Sequence, residues 1–215
     1  ELRGSHAGLL RVVWIGILLS VLQQFVGINV IFYYSSTLWH SVGFSEADAF
    51  DITVGTSIVN VLVTLVAIAL VDRIGRKPLL IVGSAGMAVT LALMAWCFSQ
   101  ATGTGANLSL PGALGPVALV AANAYVVFFG LSWGPMVWVL LGEMFPNQIR
   151  GSALAVCGFA QWFANYLIAQ SFPIMAAWSL AGSYTFYAVC AVISFFLVQR
   201  FVRETKGKEL EEMQG

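Results

Sequence analysis

Gln23, Gln24 and Asn29 set three carboxamides inside residues 12–39, a run without a single charged side chain, and Tyr33 and Tyr34 follow them. About 20 residues of helix cross a bilayer core, so this run is long enough to span one. Lipid offers an amide no hydrogen-bond partner, and burying one unpaired costs roughly 2–7 kcal/mol. Such side chains must therefore face neighbouring helices or a wet cavity. Amides lining a cavity exchange hydrogen bonds with a neutral, many-hydroxyl solute such as a sugar. The alternative is ordinary interhelical bonding. The density of the cluster favours a ligand site.

The same chemistry recurs downstream. Gln161 and Asn165 are spaced i, i+4 and share a helix face, with Trp162 one step away. Trp138 is placed to stack on the apolar face of a sugar ring, its alternative role being bulk packing. It follows Gly130, Gly134 and Pro135, which loosen and kink a helix and make it a candidate gate. Thr53, Thr56, Ser57, Asn60 and Thr64 form a polar stripe. Hydroxyls can satisfy themselves against the preceding turn, which leaves Asn60 as the member able to reach ligand. On an unbroken helix Gln24 and Asn29 would point about 140° apart. Both reach one cavity if the chain bends or unwinds at Gly27, or if they flank the cavity from two sides.

The elements that must position these groups are membrane helices. Of 215 residues 59% are hydrophobic and 9% charged, far fewer charges than a soluble domain carries. Net charge is zero, which argues against nucleic acid as a partner. Six apolar spans are expected, at residues 10–39, 52–71, 79–100, 115–141, 151–178 and 183–201, the last a supporting helix. Residues 1–11 read as the end of a cytoplasmic linker without a signal peptide, 12–202 as the bundle, and 203–215 as a cytoplasmic tail. All ten Lys and Arg fall in alternate connectors, which places both termini in the cytoplasm. Trp39, Trp96 and Trp178 lie near span ends and suit an aromatic belt. Cys97, Cys157 and Cys190 sit in apolar runs without metal-site spacing and read as core thiols. The chain does not begin with Met, so a fragment is expected.

Residues 72–78, Asp-Arg-Ile-Gly-Arg-Lys-Pro, form a basic loop able to latch onto carboxylates at neighbouring helix ends. Asp72, Glu143 and Glu204 are the candidate partners for Arg73, Arg76 or Lys77. Together with the earlier motifs these residues resemble the sugar porters of the major facilitator superfamily. Gln23-Gln24-x-x-Gly27-x-Asn29-x-x-x-Tyr33-Tyr34 is similar to that family's helix-seven motif. Asp72-Arg73-x-Gly75-Arg76-Lys77 resembles its loop between helices eight and nine, and Gly134-Pro135-x-x-Trp138 its helix-ten motif. Glu143-x-x-Pro146-x-x-x-Arg150 and Glu204-Thr205-Lys206-Gly207 resemble two cytoplasmic signatures. Two departures are Arg203 where the last signature has proline, and Gly130 where some animal members carry an acidic residue.

The resemblance implies an all-α membrane fold, six transmembrane helices as two inverted three-helix repeats, half of a twelve-helix major facilitator fold. It implies sugar contacts at Gln23, Gln24, Asn29, Asn60, Trp138, Gln161 and Trp162. Tyr33, Tyr34, Gly134 and Pro135 become gating residues. Asp72, Arg73, Arg76, Glu143, Arg150 and Glu204 become a cytoplasmic salt-bridge network. The function implied is hexose or pentose transport by alternating access, facilitative or proton-coupled, with the N-terminal half of the transporter as partner, in the plasma membrane. No metal or other cofactor and no enzymatic chemistry is expected, since no His, Cys and carboxylate set meets inside the bundle. A porter for another small solute such as a polyol, and a non-transporting sugar sensor, are the alternatives.

Overall fold

A computed structural model describes residue 2 and residues 9–41, 43–102 and 108–206. Arg3, Gly207, Lys208 and most of both terminal segments lie outside the described residues. The chain forms α1 (Arg11–Phe25), α2 (Ile28–Tyr33), α3 (Ser35–Ser41), α4 (Glu46–Ile74), α5 (Arg76–Ser99), α6 (Leu114–Leu131), α7 (Trp133–Met144), α8 (Arg150–Trp178) and α9 (Leu180–Phe201). These make six spans, the first built from α1 with α2 and the fourth from α6 with α7.

Local chemistry sets the ends. Ser45 Oγ accepts the Asp48 N–H at 3.1 Å, and Glu46 and Asp48 sit in the first turn of α4, where the helix dipole favours negative charge. The second span therefore begins six residues before its apolar core. Gly75 ends it with φ +100°. A side chain there would put its Cβ 2.7 Å from a Glu204 carboxylate oxygen. Pro78 occupies the first turn of α5, where no N–H is needed.

Both long spans are interrupted. Gly27 adopts φ +85° between α1 and α2, a conformation that L side chains rarely hold. Ser132, with φ −133° and ψ −87°, separates α6 from α7. Pro135 lacks the N–H that would bond back across this point. The fourth span sinks into α5 at two glycines: a Cβ on Gly83 would lie 1.7 Å from Ser132 Oγ, and one on Gly86 2.3 Å from the Phe128 ring. Small residues let membrane helices approach this closely.

The pairing has internal symmetry. α5 packs along α9, α1 against α8, and α4 against α6. Exchanging the first three spans with the last three reproduces these pairs, and three crossings per unit make the units inverted. Trp133, Tyr125, Tyr184, Tyr187 and Phe145 fill the centre. Phe50, Ile58, Leu62 and Leu65 on α4 stand exposed, as lipid allows. Trp96 and Trp178 are exposed too, but Trp39 is 2% exposed and meets Phe44 edge-on at 5.8 Å. Its belt role is corrected: α3 tucks the indole beneath the connector to α4.

Candidate functional site

The break at Gly27 divides the amides between two helices. Gln23 and Gln24 end α1 and Asn29 opens α2. Asn29 Nδ2 donates to Gln24 Oε1 at 2.6 Å and to Asn165 Oδ1 on α8 at 2.9 Å. Gln24, Asn29 and Asn165 thus form one amide chain across the seam between the first and fifth spans. Gln23 turns the other way. Its Nε2 donates to Trp133 O at 2.7 Å and Gly134 O at 3.2 Å, at the interruption of the fourth span. The fourth span answers in kind, since Tyr125 Oη donates to Val26 O at 2.7 Å, at the interruption of the first.

Among the site amides, two acceptors are left over. Gln23 and Gln161 are 3% and 5% exposed, and the Oε1 of each has no protein partner among the described residues. Leaving such a group unpaired costs about 1–3 kcal/mol, so native structures rarely keep one without a use. Trp138 on α7 is 41% exposed, with the far edge of its indole 3.7 Å from the position a Cβ would take on Gly158. Gly158 lies one turn before Gln161 and Trp162, so this indole covers the α8 surface beside the amides. Trp162 is 63% exposed on α8, as are its neighbours Phe159 and Phe163 at 74% and 53%.

The remaining site residues divide by environment. The Asn60 carboxamide makes no hydrogen bond to protein among the described residues, and its Oδ1 would be 3.1 Å from a Cβ on Gly130. Its hydroxyl neighbours are satisfied locally: Thr53, Ser57 and Thr64 each bond the carbonyl four residues back. Thr56 instead reaches Asn123 on α6 at 3.2 Å. Tyr34 Oη donates to Ala169 O at 2.9 Å, and its ring lies 5.0 Å from that of Phe172, which ties α2 to α8. Tyr33 is exposed.

At the basic end, Glu204 caps α5. Its carboxylate accepts the backbone N–H groups of Arg76, Lys77, Thr205 and Lys206, each at 3.0 Å. Burial pushes this carboxyl up, and the four N–H donors outweigh that and hold it below its usual range. Arg76 pairs with Glu143 at 2.7 Å and Asp72 at 3.0 Å, while Thr205 Oγ1 donates to the other Glu143 oxygen at 2.6 Å. Two expected ion pairs are absent among the described residues. Arg150 donates instead to Phe145 O, where the chain leaves α7, and Arg73 contributes its carbonyl to Lys206 Nζ. Glu204 reads backbone N–H groups rather than a guanidinium because the turn at Gly75 brings the helix terminus closer than any side chain.

Sequence reasoning pairs Asn165 with Gln161 but does not place it in the site; the i, i+4 spacing is the available signal. Tyr125, Trp133, Ser84 and Ser194 escape it because nothing local separates them from core. The sixth span looks chemically empty in sequence, yet Ser194 on α9 lies 3.0 Å from Ser84 Oγ on α5.

The fold is that of one half of a major facilitator protein, with amides rather than charges in the middle of its described spans. The family model for sugar (and other) transporters matches residues 1–215, and the chain belongs to that family. It is 55% identical over 214 residues to the glucose transport protein of Synechocystis sp., covering 99% of this chain and 46% of that protein. It is 43% identical over 211 residues to the D-xylose-proton symporter of Escherichia coli, covering 95% of this chain and 41% of the relative. Against the glucose facilitated diffusion protein of Zymomonas mobilis identity is 36% over 221 residues, covering 98% and 44%. The solved structure of the proton:xylose symporter XylE with bound 6-bromo-6-deoxy-D-glucose matches with a TM-score of 0.81 at 41% identity, over 94% of this chain and 42% of that one. The chain therefore spans about half the length of the curated relatives it matches.

Proposed function

We propose that this chain is the C-terminal half of a sugar transporter that works by alternating access. An N-terminal half completes the cavity, and the assembly sits in the plasma membrane with both termini cytoplasmic. Residues 1–11 end the linker, 12–202 form the bundle and 203–215 the tail. The observation that carries the reading is the pair of buried acceptors, Gln23 Oε1 and Gln161 Oε1, beside an indole. Sugar hydroxyls give such acceptors the hydrogens they lack, and the ring's apolar face covers Trp138. Gln24, Asn29, Asn60 and Trp162 complete the sugar contacts. The names of the relatives, glucose and xylose carriers, support the substrate class. Both proton-coupled and facilitated relatives occur, and this half supplies no mid-span carboxylate among its described residues, so coupling resides elsewhere if it operates.

Binding shifts the access equilibrium only by differential affinity for its two states. Interrupted first and fourth spans, with Gly134, Pro135, Tyr33 and Tyr34 at or beside the breaks, supply the moving parts. Asp72, Arg73, Arg76, Glu143, Arg150 and Glu204 supply the inner latch. In the full-length transporter, Gln23→Ala, Gln24→Ala and Trp138→Leu each raise the KM for labelled hexose uptake into vesicles by about tenfold, as loss of one or two ligand contacts requires. Uptake and affinity unchanged by all three overturn the assignment.

A further inference from the structure

The geometry points to Trp133 as a positioning residue of the sugar site, pinned by a hydrogen-bond chain that runs from the sixth span through the third. Trp133 is fully buried, and no sugar contact is assigned to it. Its indole Nε1 donates to Ser84 Oγ at 2.8 Å and to Leu80 O at 3.3 Å, both on α5. Ser194 on α9 lies 3.0 Å from that Ser84 hydroxyl and donates to Ala191 O at 2.7 Å. With the Ser194 proton given to a carbonyl, the Ser84 proton goes to Ser194 Oγ, and a Ser84 lone pair is left for the indole. Each hydroxyl in the chain then has one place to go, and the indole N–H is shared between Ser84 Oγ and Leu80 O.

The other end of Trp133 is its backbone carbonyl, which holds Gln23 Nε2 at 2.7 Å. The side chain thus fixes the first residue of α7 just past the break at Ser132, and its carbonyl fixes the glutamine. Once the Nε2 end is held, the orientation of Gln23 Oε1 is determined. Ser132 sits in the space a side chain on Gly83 would need, so the break packs directly against α5. The helices α5 and α9, to which no sugar contact is assigned, thereby set the aim of a sugar-binding oxygen. A loose break would let Gln23 keep its burial and lose its direction.

This inference rests on Gln23 binding sugar, and the test separates the two. Binding of D-glucose and its monodeoxy analogues is measured by calorimetry on the full-length transporter, for wild type, Gln23→Ala, Trp133→Phe, Ser84→Ala and the Ser84→Ala/Trp133→Phe double. Gln23→Ala identifies the hydroxyl it serves, as the analogue whose penalty disappears. Trp133→Phe and Ser84→Ala weaken D-glucose about three- to tenfold, the value of one oriented hydrogen bond, and abolish the penalty of that same analogue. The double variant is no weaker than the worse single, since both cut one chain. A uniform loss across all analogues marks Trp133 as mere packing and overturns the inference. Should Trp133→Phe fail to fold, Ser84→Ala, which removes one oxygen, decides the matter by the same two outcomes. If no analogue's penalty disappears in Gln23→Ala, the underlying site is wrong instead.

Discussion

Replacing Gln161 with Met separates a ligand-binding amide from a structural one. Gln161 is buried on α8 with its Oε1 unpartnered among the described residues, whereas Asn165, one turn on, accepts the Asn29 amide at 2.9 Å. A thioether of similar volume removes the orphaned oxygen and refills its space with polarisable apolar atoms. An unmet buried acceptor costs about 1–3 kcal/mol, so sugar-free Gln161→Met loses no stability and gains up to about 1 kcal/mol. Asn165→Leu strands Asn29 Nδ2 and loses about 1–3 kcal/mol by the same reasoning.

Sugar reverses the ranking. A ligand at one hundred times its Kd stabilises the protein by about 2.7 kcal/mol. If Gln161→Met weakens binding tenfold, the same concentration yields about 1.4 kcal/mol. The assay is thermal unfolding of the purified full-length transporter with and without D-glucose at one fixed concentration. Sugar-free stability held or raised, with sugar protection roughly halved, is the expected pair of readings. The reasoning fails if Gln161→Met falls as far as Asn165→Leu while keeping full protection, for then Gln161 is helix-to-helix glue.

Gly27→Ala forces a left-handed backbone on a residue with a Cβ and sets that atom 2.8 Å from the Tyr187 ring. The backbone part costs about 1–2 kcal/mol and the overpacking about 1–3 more; unfolding measurements on Gly27→Ala and on Gly27→Ala with Tyr187→Leu should show only the second part relieved. Glu204 is held below the usual carboxylate range, so its contribution is complete at neutral pH and is lost as pH falls through its folded pKa. Stability measured from pH 7 downward should therefore fall less steeply in Glu204→Gln than in wild type, and identical slopes would show that the cap contributes nothing.

Charge spacing and apolar length make the six spans legible, because bilayer thickness and the unpaired backbone leave a sequence little freedom. Gly27 and the run Gly130, Gly134, Pro135 also announce their breaks, since each residue is poor in a straight helix. The exact second break is not legible. It falls at Ser132 because Gly83 opens a notch on α5, and a notch on another helix leaves no mark at Ser132 itself. The amides are visible as misfits in an oily run, but their division of labour is not. Gln23 and Gln24 are adjacent and chemically identical, and only tertiary packing sends one to Trp133 and the other to Asn29. Arg73 and Glu204 mislead for a related reason: formal charges invite pairing, whereas two N–H groups at the start of α5 and two just after Glu204 compete with any guanidinium.

The two interruptions constrain each other. Breaking a membrane helix frees carbonyls that lipid cannot satisfy. Here the first span's break is served by Tyr125 of the fourth, and the fourth span receives Gln23 of the first. Under the internal symmetry these are corresponding helices, so each supplies the polar group that its counterpart needs. Bending either alone would strip a buried carbonyl on one side and a buried amide or hydroxyl on the other, at about 1–3 kcal/mol for each group left unmet. Moving both together keeps every one of those mutual bonds, and only the anchors to α5 at Trp133 and to α8 at Asn29 and Tyr34 must give. The lower-cost motion is then a joint one, in which the two broken helices tilt as a pair and carry Gln23, Gln24, Asn29 and Trp138 with them. Sugar bound to that pair would bias a single coordinate rather than two independent gates, which is what exchange between two discrete access states requires.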